Sequence, residues 1–212
     1  MSIINQIFDR VFVINLDKRK DRQEHFKKEL SRFGISYNRV SAVDGEDEDV
    51  PDIDGLTPGE VGCILSHKKV LERIIEQKIQ LPLILEDDII FEDNFSSRFE
   101  RHFSQLPQDW SMYYLAANTT QDQNLTSVSE NIDRTHKALT THSYSIKLKK
   151  AEKLYNIIED NAFEKPVDNA YTDFQKEERV YVSNPNLIIQ MESYSNVREG
   201  FRNYDDVLRD LN

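Results

Sequence analysis

An α/β fold with a mostly parallel central sheet flanked by helices is what this chain predicts, on three observations. Apolar β-prone runs alternate with helical patterns from the N-terminus onward. The first of these close a strand, helix, strand unit, which requires parallel pairing. A later run, LPLIL, is apolar without alternation, as in strands covered on both faces.

The elements follow in order. Val11 to Leu16 (VFVINL) is a β-branched run ending in polar Asn15 and Asp17. In the following DRQEHFKKELSRFG, Phe26, Leu30 and Phe33 recur at helical spacing, and Gly34 supplies the C-terminal stop. ISYNRVSAV, residues 35–43, returns as a second strand, and the turn Asp44-Gly45 opens an acidic, mobile loop, EDEDVPDIDG. Thr57-Pro58-Gly59-Glu60 combines a hydroxyl cap, a proline at the first helical position and a carboxylate at the third. Behind it Val61, Ile64, Leu65, Leu71, Ile74 and Ile75 supply an apolar face. LPLIL is the next strand, and Phe95, Phe99 and Phe103 recur every four residues as the core face of another helix. Residues 118–137, NTTQDQNLTSVSENIDRTHK, are polar and aperiodic and read as a long loop or lid. The C-terminal REGFRNYDDVLRDLN reads as a short acidic helix packing through Val207, Leu208 and Leu211.

Composition narrows the function. With 212 residues, 38% of them hydrophobic, one domain over 1–212 is expected. Lys and Arg total 27 against 38 Asp and Glu, a net charge of −11, which argues against general binding to nucleic acid or to an anionic membrane surface. MSIINQIFDR lacks a basic segment followed by an apolar core, and no stretch approaches roughly 20 apolar residues. The chain therefore reads as soluble, unexported and cytoplasmic. Cys63 is the only cysteine, so no internal disulfide forms, which fits a reducing compartment.

The chemistry concentrates in LPLILEDDIIF. In open α/β sheets ligands collect at the carboxyl ends of strands, and Glu86, Asp87 and Asp88 stand at such an end. An acidic cluster that merely faces water is the plainer alternative. The flanking apolar runs, however, hold the charges at a depth where a cation must balance them. Oxygen-only ligands suit Mg²⁺ or Mn²⁺, ions that also bind substrate phosphates. After the first strand, the Asn15 amide suits a nucleobase or ribose, and the Arg19 and Arg22 guanidinium forks suit phosphate oxygens. A solvated helix face explains the two arginines equally well. Cys63 and His67, four apart on the capped helix, have ligand spacing but no second pair to complete a metal site, so that reading is set aside.

VFVINLDKRKDRQEHF (11–26), GEVGCILSHKKVLERI (59–74) and LILEDDIIF (83–91), in this order and spacing, resemble glycosyltransferase family 25, the lipopolysaccharide and collagen galactosyltransferases. The likeness continues more faintly through residues 141–158, 166–168 and 184–190. It implies a GT-A-like nucleotide-sugar-binding fold, a UDP-sugar donor, Mn²⁺ or Mg²⁺ as cofactor, a hydroxyl acceptor on a glycan, lipid-linked sugar or protein, and transfer with inversion. Carried over, Asp88 is the direct metal ligand. Glu86 joins the metal or the catalytic centre, and Asp87 lies near the donor. Asn15, Arg19, Arg22, Asp44, Ser66 and His67 fall on the donor side, Ser66 and His67 either meeting the sugar or orienting an acid. Asp168 is the first candidate for the base, in a loop after an amphipathic helix, with Asp173 and His142 as alternatives. The family's terminal Ser-Asp-Ile segment is here Ser195-Asn196-Val197, without the acid. Two other readings compete: a nucleotide-sugar or carbohydrate-binding module without turnover, and a metal-dependent phosphotransferase. The latter would show a glycine-rich phosphate loop, and none of the 6 glycines forms GxxxxGK[ST].

Overall fold

A short helix, α1 (Ile3–Ile7), precedes the expected unit of β1 (Arg10–Asn15), α2 (Lys20–Arg32) and β2 (Asn38–Ser41). The computed structural model describes residues 1–161, 166–191, 193–195 and 200–202. β1 and β2 pair in parallel, which requires the crossover that α2 provides. Gly34 ends that crossover at φ +59°, a left-handed conformation that a side chain would disfavour.

The predicted capping box forms at the start of α3 (Pro58–Glu76). Thr57 Oγ1 accepts the Glu60 N–H at 3.2 Å, and the Glu60 carboxylate accepts the Thr57 N–H at 2.9 Å. Both satisfy donors that the first helical turn leaves without a partner. Thr57→Ala is therefore expected to lower stability by about 1 kcal/mol in urea unfolding. An unchanged midpoint would show that the cap contributes nothing to the cooperative fold.

LPLIL becomes β3 (Pro82–Glu86), and the chain turns at Asp87-Asp88 into β4 (Ile89–Phe91). There follow α4 (Phe95–Ser104), β5 (Met112–Tyr114), β6 (Thr126–Ser129), β7 (Ile132–Thr135), β8 (Ser143–Ile146), α5 (Leu148–Asn161), α6 (Val167–Glu177), β9 (Val180–Ser183) and β10 (Ile188–Gln190), with β11 (Ser193–Ser195) and β12 (Gly200–Arg202) as a separate pair. The eight-stranded sheet runs β2-β1-β3-β8-β5-β9-β7-β6. β1, β2, β3, β5, β6 and β9 share one direction, and only β7 and β8 oppose it.

Alternate residues of the central strands point to opposite faces, and both faces are covered. Phe12 and Ile14 of β1 and Ile84 of β3 join a core that includes Ile64, Val70, Leu71 and Ile74 of α3, Leu154 of α5 and Phe174 of α6. Val11 and Val13 of β1 and Leu83 and Leu85 of β3 join a second core with Phe26 and Leu30 of α2 and Phe95 and Phe99 of α4. That two-sided burial is the physical reason LPLIL shows no polar alternation. Among the described residues no helix is long and apolar enough to cross a membrane.

Two expectations are corrected here. Residues 118–137 do not form one long loop: Thr126–Ser129 and Ile132–Thr135 pair as an antiparallel hairpin at the sheet edge. Buried Ile132 and Thr135 anchor it against β9, while the outer strand stays exposed, so its polar composition conceals a strand. Asp168 is not in a loop but in the first turn of α6, whose N-cap is Pro166. An acid there suits the positive end of the helix dipole. Asn196 and the C-terminal helix expected around Val207, Leu208 and Leu211 lie outside the described residues.

Candidate active site

The parallel strands β1, β2 and β3 end together, and their carboxyl ends open into a cavity of about 340 Å³. That volume is within the range of small-ligand sites. Asn15 enters from the end of β1, Arg19 and Arg22 from the loop and first turn leading into α2, and Asp44 from the turn after β2. Ser66 and His67 enter from α3, Glu86, Asp87 and Asp88 from the end of β3, and Asp168 from the start of α6. The donor-side, metal and first base candidates of the sequence reading thus line one cavity, although their positions span from 15 to 168; the alternative bases His142 and Asp173 do not line it.

Their hydrogen bonds differentiate them. Asn15 Nδ2 donates to Asp87 Oδ2 at 2.6 Å and to the Arg19 carbonyl at 3.3 Å, while its Oδ1 accepts from Arg39 Nε at 2.9 Å. The amide is therefore engaged within the protein and orients Asp87, rather than standing free for a nucleobase. Arg22 Nη1 lies 2.7 Å from Asp87 Oδ1 and 3.3 Å from Asp88 Oδ2, so its guanidinium binds the acids directly. Arg19 pairs with Asp21 at 2.7 Å, and Asp44 with Lys18 at 2.6 Å. Ser66 is occupied as well: its hydroxyl accepts the Val43 N–H at 2.8 Å and donates to the Gly62 carbonyl at 2.6 Å. It fastens the turn after β2 to α3.

Two glycines make that fastening tight. A Cβ on Gly62 would lie 2.7 Å from the Val43 carbonyl oxygen, and one on Gly45 would lie 1.6 Å from the Pro58 carbonyl oxygen. Backbone stands at both points and cannot rotate away as a side chain can. Gly45→Ala is expected to displace this wall and to cost at least about 1–3 kcal/mol, as overpacking does. Thermal unfolding of the variant tests it, and wild-type stability would contradict the close packing.

Glu86 and Asp88 sit in opposite electrostatic settings. Glu86 Oε1 accepts from Thr141 Oγ1 at 2.8 Å and lies 3.3 Å from His67 Nε2. Burial opposes its charge, but His67, His142 and Thr141 together hold its carboxyl at about 2. For Asp88, burial outweighs the attraction of Arg22, and Glu86 and Asp87 add repulsion, which pushes it up to about 7. Gln190 lies beside it, with Nε2 3.5 Å from Asp88 Oδ1. The Gln190 Oε1 is buried with no hydrogen-bond partner among the described residues. A buried carboxylate repelled by two neighbouring acids, beside an amide whose oxygen has no hydrogen-bond partner among the described residues, is an oxygen-rich setting that fits a divalent cation. Glu86, by contrast, is directed to His67 and Thr141.

Of the alternative bases, His142 is 0% exposed, and both ring nitrogens lack a partner among the described residues. Burial pushes it down to about 4, so it stays neutral in the core. Asp173 pairs with Lys176 at 3.0 Å and does not line the cavity. Asp168 does line it, and its Oδ1 accepts the Asn169 N–H at 2.9 Å. Sequence reasoning missed Thr141, Gln190 and Lys18. The first two come to the site by long-range strand pairing, β8 against β3 and β10 against β4, which no local pattern signals.

Residues 8–171, well over half of the chain, match a family model described as glycosyltransferase family 25 (LPS biosynthesis protein). Procollagen galactosyltransferase 2 of Homo sapiens is 30% identical over 170 residues, covering 69% of this chain and 27% of its own length. Procollagen galactosyltransferase 1-A of Xenopus laevis is 32% identical over 173 residues, 70% of this chain and 28% of its own. The inactive glycosyltransferase 25 family member 3 of Homo sapiens is 34% identical over 141 residues, 57% of this chain and 24% of its own. The chain thus spans about a quarter of the length of these curated relatives. Among solved structures, A197 from STIV aligns with a TM-score of 0.48 at 13% identity, over 86% of this chain and 93% of that one. A glycosyltransferase involved in the glycosylation of the major capsid of PBCV-1 aligns at 0.42 and 8%, over 82% and 91%.

Proposed function

The chain belongs to glycosyltransferase family 25, and on that premise we propose that it transfers a hexose, galactose first among them, from a UDP-sugar to an acceptor hydroxyl, with inversion and with a divalent cation, Mn²⁺ or Mg²⁺. The observation that carries this reading is the setting of Asp88. At the carboxyl end of a parallel strand, a buried carboxylate pushed up to about 7 stands beside the Gln190 amide, whose oxygen has no donor among the described residues. Such a site gains from a cation, and the diphosphate of a donor gains from the same cation.

Asp88, with the Gln190 amide oxygen, would hold the ion. A bound Mn²⁺ or Mg²⁺ supplies Lewis acidity to the departing diphosphate. Arg22, freed in part from Asp88, remains a cation against the donor phosphates. Asn15 and Arg22 keep Asp87 fixed at the donor side. Glu86, oriented by His67 and Thr141, stays ionised and accepts hydrogen bonds from sugar hydroxyls. Asp168 takes the proton of the acceptor hydroxyl. The acceptor oxygen bonds to the anomeric carbon as the bond from that carbon to the diphosphate oxygen breaks, and its electron pair leaves with UDP.

A second reading, a member that binds donor without turnover, is favoured by one observation: some similar relatives, such as the human family member 3, are inactive. UDP and Mn²⁺ together are expected to raise the melting temperature beyond the sum of their separate effects, since each supplies charge the other lacks. Saturation at a hundredfold excess over Kd corresponds to about 2.7 kcal/mol. Thermal shift with both ligands no greater than with either alone would remove the donor-site reading. A joint shift without hydrolysis or transfer of any UDP-hexose would select the binding reading.

A further inference from the structure

Cys63 and His67 stand one helical turn apart on α3, and Glu86 at the end of β3 reaches the same point. Spacing along the chain offers only the first two, and the fold supplies the third. The thiol sulfur, an imidazole nitrogen and a carboxylate oxygen all lie within 4.8 Å of one another, and the three residues line the cavity. His67 Nε2 and Glu86 Oε1 are 3.3 Å apart. Ligands at about 2.0–2.3 Å from a tetrahedral ion stand roughly 3.3–3.7 Å from each other. One pair already has that separation, and the sulfur lies within 4.8 Å of both.

The ligands are also supported from behind. His67 Nδ1 meets Tyr144 Oη at 3.1 Å, and that hydroxyl is bonded to Tyr171 Oη at 2.8 Å. This contact turns Nε2 toward Glu86. Thr141 Oγ1 donates to Glu86 Oε1 at 2.8 Å and fixes the carboxylate. Oriented imidazole and carboxylate groups of this kind are the outer support that metal sites use. Burial and the carboxylates Glu86, Asp168 and Asp88 push the Cys63 thiol up, so the surroundings already favour a cation over a bare thiolate.

We propose that Cys63, His67 and Glu86 form a Zn²⁺ site inside the cavity, separate from the oxygen ligands at Asp88, whose occupancy blocks the donor sugar. Thiolate and imidazole select Zn²⁺ over Mn²⁺ and Mg²⁺, which prefer oxygen. On binding, the thiol proton leaves to solvent as sulfur bonds the ion, and the fourth position opens to the cavity. Zinc capture depends on this geometry alone, whereas the blockade rests on the transferase reading.

The test uses the full chain, reduced and stripped of metal, titrated with Co²⁺ and then Zn²⁺. The expected result is a near-ultraviolet thiolate-to-cobalt charge-transfer band that one equivalent of Zn²⁺ abolishes. Cys63→Ser should remove the band and weaken Zn²⁺, read by competition with a chromophoric chelator, at least about 100-fold, beyond the cost of losing an outer partner. Tyr144→Phe should weaken it about 10-fold or more while keeping the band. A melting curve on each variant separates ligand loss from unfolding. Cobalt or zinc bound without a thiolate band, or with the same affinity in Cys63→Ser, overturns the site. The UDP and Mn²⁺ thermal shift, recorded on the same samples, distinguishes the two readings. A cobalt band in a protein without that joint shift leaves the zinc site standing and overturns the blockade. Zn²⁺ that lowers affinity for a UDP-hexose in the wild type but not in Cys63→Ser supports both.

Discussion

Asp88→Asn is expected to lower transfer by about 10²–10³-fold, the scale of losing one group that stabilises charge in a transition state, while the fold survives. The substitution keeps size and hydrogen bonding and removes the charge that a cation needs. Its effect on stability should carry the opposite sign. The Asp88 carboxyl is raised in the folded protein from its usual 3.8 to about 7. The neutral acid therefore favours the folded state fully at pH below about 4, and that advantage is lost as pH rises through 7. Above pH 7 the metal-free variant, neutral at this position, should melt higher than the wild type, and the difference should vanish in acid. Unchanged turnover would exclude Asp88 as the ligand. A variant less stable at pH 8 would show that the Arg22 pairing outweighs burial.

Asp168→Asn separates a base from a scaffold. If Asp168 takes the acceptor proton, transfer falls by about 10²–10⁴-fold while affinity for UDP and Mn²⁺ stays near wild type, because a base acts only as the reaction proceeds. If it serves only the first turn of α6, where an acid suits the helix dipole, activity is kept and stability drops by about 1 kcal/mol or less. The paired measurement is donor affinity by calorimetry beside transfer rate on one preparation. Loss of both would move Asp168 to the donor or metal side.

The local half of this architecture was legible in the sequence. Thr57 and Glu60 announced the capping box, Gly34 the end of α2, and LPLIL a strand buried on both faces, because caps, stops and burial act over a few neighbouring residues. Asn15 and Glu86 were legible as site residues through a fold class that gathers strand ends in one place, whereas His67 and Asp168, which stand on helices, were reached through the resemblance to the family. What was not legible is set by pairing across long stretches of chain. β8 inserts antiparallel between β3 and β5 and brings Thr141 to Glu86, and β10 pairs with β4 and brings Gln190 to Asp88. The hairpin of β6 and β7 was hidden because its outer strand faces water and carries no apolar alternation. Side-chain partners were hidden too: Asn15 and Ser66 have the chemistry of ligand contacts, and only the structure shows that Asp87, Val43 and Gly62 already occupy them.

If Asp88 is the ligand proposed above, its carboxylate binds a divalent cation together with a nucleoside diphosphate. Electron paramagnetic resonance of Mn²⁺ reads it directly, since the signal of the aqueous ion fades on binding. With wild-type protein, UDP is expected to deepen the loss of free Mn²⁺ well beyond that caused by protein alone or UDP alone, and Asp88→Asn is expected to abolish this cooperation. Equal loss of signal in wild type and variant, with UDP present, would exclude Asp88 as the ligand of the ion.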